Sequence, residues 1–267
     1  MGEDQGELPV AQATGWYLRL TGVVKVCPVG PAHDAWEVRD VGSRKARTLL
    51  ALLGARAGRA VTMDQVVEAL WADARPRRPE ANVATLVSRL RATLGKETVV
   101  GGRGGYWLGD GIRVDLQDAA TLVAAAEGCL GRAQPRRGLS TAGRAIELLD
   151  RGPVLAEHPN ADWAEAARNM QETLLCRARH AAAESALRAA VPGRAQVLAE
   201  SALVADALDE AAYRLYMRAC AAKGEPARAM VAFQRLRRTL AAEFGADPAP
   251  ATRELYVMIL RTQATAG

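Results

Sequence analysis

The chain changes its hydrophobic period twice. From Trp16 to Val26 the run WYLRLTGVVKV alternates apolar and polar residues and is rich in β-branched side chains, which predicts one or two strands. CPVGPAHDA carries turn chemistry, and Trp36 to Val41 predicts a further short strand, so a small antiparallel sheet is expected to open the domain. After Gly42 and Ser43 the period becomes helical. RKARTLLALLGARAG puts Leu49, Leu50, Leu52 and Leu53 on one buried face, with Ser43 as candidate cap and Gly54 or Gly58 as the stop. TMDQVVEALW predicts a second helix, opened by a capping box of Thr62 and Gln65 and turning Val66, Val67, Leu70 and Trp71 inward. The turn ADARPRRP leads to a third, Pro79 to Leu94, with Pro79 at its first position and Gly95 at its stop. In TVVGGRGGYWL, two β-rich arms flank a glycine cluster with Arg103 at its centre, which predicts a hairpin with a basic tip.

From Asp115 onward the period is almost wholly helical. The predicted segments are Asp115 to Leu130, Ser140 to Leu149, Ala161 to Leu187, Arg194 to Ala205, Asp209 to Lys223, Ala227 to Phe244 and Ala251 to Thr262, broken at prolines and glycines. Gly224, Ala229 and Phe233 stand at tetratricopeptide-like spacing, and Ala195 and Ala199 precede Ala229 and Phe233 by one repeat length of about 34 residues. Small residues at such sites let paired helices pack closely. Chance spacing in an alanine-rich sequence is the alternative. Trp163 and the apolar stripe near it are expected in the core.

The third helix carries the first candidate chemistry. Val83, Leu86, Val87, Leu90 and Leu94 form one apolar stripe, while Ala81, Thr85, Ser88 and Ala92 lie opposite, flanked by Asn82 and Arg89. That outer face is small, polar and basic, and no acidic residue follows Glu80. It suits a helix laid in a DNA major groove, which is lined by phosphates; a solvated surface helix shows the same pattern. The first helix has a related feature. Arg44, Lys45 and Arg47 crowd its N-terminal turn, where the macrodipole is already positive, and a nearby phosphate would relieve that conflict. Two helices joined by a short basic turn, then a hairpin, give a winged helix-turn-helix. The rival reading of the glycine cluster, a phosphate-cradling nucleotide loop, fails because neither GxxxxGK[ST] nor a GxGxxG opening a helix is present.

Charge and composition sharpen this division. The net charge of +5 conceals an asymmetry: residues 41–113 hold 13 Lys or Arg against 6 Asp or Glu, and residues 115–267 hold 19 against 18. Only the first part has the surplus a polyanion would attract. At 267 residues and 49% hydrophobic content the chain accommodates two globular domains. It has no apolar run of about 18 residues, and Glu3, Asp4 and Glu7 stand where a signal peptide carries positive charge, so a cytoplasmic, nucleoid-associated protein without a membrane partner is expected. Cys27, Cys129, Cys176 and Cys220 form no CxxC pair, and His33, His158 and His180 show no metal spacing. Buried thiols, no metal, no cofactor and no enzymatic activity are the expectations.

The run RKARTLLALL, then VTMDQVVEALW, VSRLRATLG, GYWL and the Val114–Asp115 pair, together with ALDEAAYRLYMRACAAKGEPARAMVAFQRLRRTLAAEFGADPAP, resembles the Streptomyces antibiotic regulatory proteins. The resemblance covers nearly the whole chain beyond residue 15. It implies a mainly α fold with a small β component, in which an N-terminal OmpR-like winged helix-turn-helix is followed by an all-α, tetratricopeptide-like bacterial transcriptional activator domain. The expected divisions are a tail over 1–15, the DNA-binding domain over 16–114 and the activator domain over 115–267. A fragment of residues 1–114 is expected to bind a single DNA repeat by itself. Candidate DNA-contacting residues are Arg44, Lys45, Arg47, Thr62, Arg78, Asn82, Thr85, Ser88, Arg89, Arg91 and Arg103, with Arg89 the base reader, Arg91 on the DNA backbone and Arg103 in the wing. The wing departs from the family pattern, its arginine being shifted among glycines, and Ala207 stands where the activator domain usually has proline.

The resemblance further implies activation of an antibiotic gene cluster, a homodimer on direct repeats of double-stranded DNA, and recruitment of RNA polymerase holoenzyme with its sigma factor. Two alternatives remain: a tetratricopeptide-type interaction scaffold, and the N-terminal part of a larger ATPase-containing regulator.

Overall fold

The computed structural model describes residues 15–29, 38–72 and 74–264, so the expected tail lies outside it apart from Gly15. Among the described residues five strands and ten helices follow one another: β1 (Trp16–Arg19), β2 (Lys25–Pro28), α1 (Arg44–Ala55), α2 (Met63–Trp71), α3 (Pro79–Leu94), β3 (Val99–Gly102), β4 (Gly105–Leu108), β5 (Ile112–Val114), α4 (Asp115–Gly131), α5 (Pro135–Leu149), α6 (Glu165–Arg188), α7 (Pro192–Ala205), α8 (Glu210–Ala222), α9 (Pro226–Phe244) and α10 (Pro250–Ala264), with a 3-10 turn at Asp162–Ala164 before α6. The expected fold class is present. Pro79 opens α3 as expected, and Pro135, Pro192 and Pro250, which read as breaks, are starts too, as is Pro226, because proline's fixed φ suits the first turn and its missing N–H would have had no partner there. The fifth helix therefore begins at Pro135, not Ser140.

Contacts divide the chain into two compact units, residues 1–117 with 152–169, and residues 118–151 with 170–267. The first unit thus takes in a segment that the sequence places wholly in the activator domain. Val154 bridges Thr21, the Leu155 amide donates to the Leu20 carbonyl at 2.8 Å, and Leu155 is completely buried. A cut at residue 114 would remove this segment and with it the contacts of Val154 and Leu155 to the end of β1.

The sheet of the first unit has the order β2-β1-β5. β1 pairs antiparallel with β2, Trp16 opposite Pro28, and parallel with β5, Leu18 opposite Val114. Of the short strand expected over Trp36 to Val41, residues 36–37 lie outside the described residues, and Val38 to Val41 are irregular, tied to β2 by the Arg39 amide on the Val26 carbonyl. Its place in the sheet is taken by β5, from far along the chain. Gly54 is not a helix stop either. It lies inside α1, and a Cβ there would sit 2.6 Å from a methyl of Leu18, so glycine lets α1 approach the sheet. Leu49, Leu50, Leu53, Val66, Val83 and Leu90 close the core with no exposed surface.

In the second unit the repeat positions pack as expected. Ala195, Ala199, Ala229 and Phe233 are all buried. Ala195 meets Ala186 and Ala219, and Phe233 stacks on Tyr256 with ring centroids 4.0 Å apart. Alanine at these contacts lets helices approach closely at no side-chain entropy cost.

Candidate nucleic-acid interface

The third helix is anchored from behind. Its stripe of Val83, Leu86, Val87, Leu90 and Leu94 is buried, and the Trp16 indole N–H donates to the Leu94 carbonyl at 2.6 Å. α2, which precedes it, has the expected capping box of Thr62 and Gln65. Gly95 ends α3 at φ +98°, a conformation that favours glycine. Ala81, Asn82, Ala84, Thr85, Ser88, Arg89 and Ala92 are all exposed, with Glu80 the acidic residue of the helix. No side chain caps the N-terminus of α3, so its first amides remain available to an anion.

The hairpin follows in the expected register, Val99 opposite Leu108 and Gly102 opposite Gly105, with Arg103 exposed at the turn. Two glycines are obligatory. Gly101 has φ +109°, and a Cβ there would lie 2.2 Å from the Gly105 carbonyl oxygen; Gly105 has φ +143°, and its Cβ would lie 2.5 Å from that of Val61. The second close approach is how β4 binds the chain ahead of α2: Val61 and Tyr106 exchange both backbone hydrogen bonds at 2.8 and 2.9 Å. The exposed indole of Trp107 went unnoticed in the sequence, although alternation places it opposite the buried Tyr106 and Leu108.

The sequence-predicted residues separate into three groups. Asn82, Thr85, Ser88, Arg89 and Arg103 lie on the exposed surfaces of α3 and the hairpin, and Arg78 is exposed immediately before α3; the Thr85 hydroxyl donates back to the Ala81 carbonyl, leaving its oxygen as an acceptor. Arg91 is turned inward. Its Nε donates to the Val99 carbonyl at 2.7 Å and its Nη2 to that of Gly101 at 3.0 Å, so it joins α3 to β3 and sets the wing against the helix. Thr62 uses its hydroxyl to accept from the Gln65 amide.

In the basic turn of α1, Lys45 finds partners within the protein. Lys45 donates to the Leu70 carbonyl at 2.7 Å and lies 4.8 Å from the centre of the Trp71 ring, neutralising the C-terminal end of α2. Arg47 shares a groove with Asp40 and Glu157. His158 is held below its ordinary pKa chiefly by burial, with Glu157 raising it and Arg44 and Arg168 lowering it further.

The family comparisons agree with this geometry. A family model described as "Bacterial transcriptional activator domain" matches residues 114–260, and one described as "Transcriptional regulatory protein, C terminal" matches residues 41–104. The chain is 32% identical over 262 residues to the regulatory protein AfsR of Streptomyces coelicolor, which covers 90% of this chain and 24% of AfsR. It is 31% identical over 240 residues to the transcriptional regulatory protein MoaR1 of Mycobacterium tuberculosis, which covers 83% of this chain and 73% of MoaR1. The chain belongs to the Streptomyces antibiotic regulatory protein family.

This family member also shares its fold with EmbR of Mycobacterium tuberculosis, solved in complex with a low-affinity phosphopeptide: the TM-score is 0.78 at 23% identity, covering 92% of this chain and 65% of EmbR. It spans about a quarter of the length of the AfsR proteins it matches. Among the described residues of this antibiotic regulatory protein relative, no helix is long and apolar enough to cross a membrane.

Proposed function

We propose that the chain is a sequence-specific DNA-binding transcriptional activator that lays α3 in the major groove and sets its β3–β4 wing on the adjacent backbone. The observation that carries this reading is the outer face of α3, where Asn82, Thr85, Ser88 and Arg89 are exposed among alanines on a helix whose other face is locked into the core. Small residues bring the helix close to base edges, Arg89 is long enough to address a guanine, and the uncapped N-terminus faces phosphate. Arg103 and Trp107 supply the wing with a cation and a flat apolar surface. Arg91 acts through the wing's position and does not itself touch DNA.

The wider reading rests on family resemblance and on charge. Residues 115–267 are close to charge-balanced, with 19 Lys or Arg against 18 Asp or Glu, and consist mainly of paired helices, which suits contact with protein more than with DNA. Two protomers on direct repeats, recruiting RNA polymerase holoenzyme and its sigma factor at an antibiotic gene cluster, complete the proposal, and no catalytic step is assigned to the chain. Head-to-tail pairing on one face of the duplex requires repeats about 10 to 10.5 bp apart.

The experiment is binding and in vitro transcription with the full chain on a promoter carrying two repeats, and on the same promoter with half a helical turn inserted between them. Cooperative binding and activation should both be lost on insertion. Equal affinity for duplex DNA of any sequence, with no activation, would favour the scaffold reading.

A further inference from the structure

Cys176 and His180 lie one helical turn apart on α6 and project from the same face. Asp209, at the N-terminus of α8, meets them there. The Cys176 sulfur is 3.8 Å from His180 Nε2 and 3.7 Å from Asp209 Oδ2, and Nε2 and Oδ2 are 2.6 Å apart. All three residues are half-buried. The other carboxylate oxygen of Asp209 is engaged, Oδ1 accepting from the Ala212 amide at 2.9 Å as the cap of α8, so the carboxylate is held in place and presents a single oxygen to the other two groups.

These donors are the types that zinc takes. Tetrahedral zinc, with bonds of about 2.3 Å to sulfur and 2.0–2.2 Å to nitrogen or oxygen, separates its ligand atoms by roughly 3.6 Å on edges to sulfur and roughly 3.4 Å between nitrogen and oxygen. The two sulfur edges already agree to within about 0.2 Å. The nitrogen–oxygen edge must open by about 0.8 Å, a movement within reach of the His180 ring, whose side chain is 26% exposed while that of Asp209 is 9% exposed. A thiolate and a carboxylate together balance a dication, and the mixture of sulfur and imidazole selects zinc over magnesium or calcium.

We propose that Cys176, His180 and Asp209 form a Zn2+ site with water as the fourth ligand. Binding forms the Zn–S bond with release of the thiol proton to solvent; the proton between His180 Nε2 and Asp209 Oδ2 also passes to solvent while Nδ1 carries the proton of the neutral ring, and the freed nitrogen and oxygen each bond to the metal. It ties α6 directly to the start of α8 within the second unit, adding a clasp to the ion pair of Glu184 and Arg218 that already joins these helices.

The test uses the untagged full chain, freed of metal with a chelator. Titration with Co2+ should give, at one equivalent, the charge-transfer absorption of a cobalt thiolate and the intense visible bands of a tetrahedral ion, both bleached by Zn2+. Zinc should also raise the Tm of the helical unit followed by far-ultraviolet circular dichroism. Cys176→Ser should abolish the thiolate band and the Tm rise, and Asp209→Asn, which preserves the helix cap, should weaken zinc binding at least tenfold. A full thiolate band in Cys176→Ser, or no thiolate band in the wild-type chain, would overturn the proposal and leave a His–Asp hydrogen bond with a thiol beside it.

Discussion

Removing the carboxylate of Asp115 should unfold the first unit more readily than any change on its DNA-facing surface. Asp115 is 1% exposed, and Oδ2 accepts from the Leu20 amide at 2.9 Å, the Thr21 amide at 2.9 Å and the Thr21 hydroxyl at 2.8 Å, while Oδ1 accepts from the Leu116 amide at 2.9 Å. It thereby fastens the end of β1 to the junction of β5 and α4. Asp115→Ala leaves three buried backbone donors without acceptors, each worth about 1–3 kcal/mol, while the Thr21 hydroxyl can rotate away; with water entering the space, a loss of about 3–5 kcal/mol is expected. Asp115→Asn can keep its carbonyl at the Oδ2 position and set its amide group against the Leu116 N–H alone, a loss of about 1–3 kcal/mol.

The two variants should also differ from wild type in pH dependence. Burial pushes the Asp115 carboxyl up, and the hydrogen bonds from Thr21, Leu20 and Leu116 bring it only part of the way back. A folded pKa above the unfolded value means the unit loses stability as pH rises from about 3.9 through the folded value, a slope that asparagine lacks. The deficit of Asp115→Asn should therefore narrow as pH rises through that window. The described tryptophans, Trp16, Trp71, Trp107 and Trp163, all belong to the first unit, so urea denaturation of the full chain followed by tryptophan fluorescence reads that unit. An alanine variant within about 1 kcal/mol of wild type, or an asparagine variant as unstable as alanine, would refute the assigned hydrogen-bond role.

Three further outcomes are expected. Gly105→Ala combines a positive φ with overlap on the Val61 carbonyl, so strain and overlap of about 1–3 kcal/mol each should loosen the wing, seen as faster hydrogen exchange at Tyr106. Arg91→Ala should weaken binding to all DNA sequences alike while leaving base preference unchanged, measured by anisotropy on a set of operators, since it acts by holding β3. In the second unit, Arg177 hydrogen bonds hold Glu127 below its ordinary pKa, and for Glu184 those from Arg218 and Arg188 outweigh the upward push of burial; depressed folded values stabilise above the unfolded glutamate pKa of about 4.3 and lose that contribution as pH falls through the folded values, visible by circular dichroism during acid titration.

What was legible in the sequence was mostly local. The capping box at Thr62 and Gln65, the stop at Gly95 and the glycine-bounded hairpin all act over a few residues, so spacing alone conveys them. The 34-residue repeat was legible because one packing rule is written twice, at Ala195 and Ala199 and again at Ala229 and Phe233. Long-range choices were not. Alternation at Trp36 to Val41 looks like a strand, yet β1 takes β5 as its neighbour, and no periodicity reports a partner so far along the chain. Likewise the segment 152–169 belongs to the first unit through Val154 and Leu155, apolar residues in a stretch whose composition resembles any loop.

The candidate interface shows the same limit at the level of single side chains. Helical phase separates Arg89 from Arg91, but only the position of β3 decides that Arg91 grips the wing instead of the DNA backbone. Lys45 was identified as basic but not as the cap of α2. The spacing of Cys176 and His180 was present in the sequence, and its significance depended on Asp209, brought to them by helix packing.

The most direct test of the account is selection of bound duplexes from a randomised library by the full chain and by Arg89→Ala, with affinities of the recovered motif then measured at several salt concentrations. The account expects the wild-type chain to enrich one motif and Arg89→Ala to lose preference at a single base pair by about 1–3 kcal/mol, while Arg103→Ala keeps the motif and lowers the log–log salt slope by about 1. Recovery of the same motif with the same preferences by Arg89→Ala, or no enrichment by the wild-type chain, would contradict the placement of α3 in the major groove.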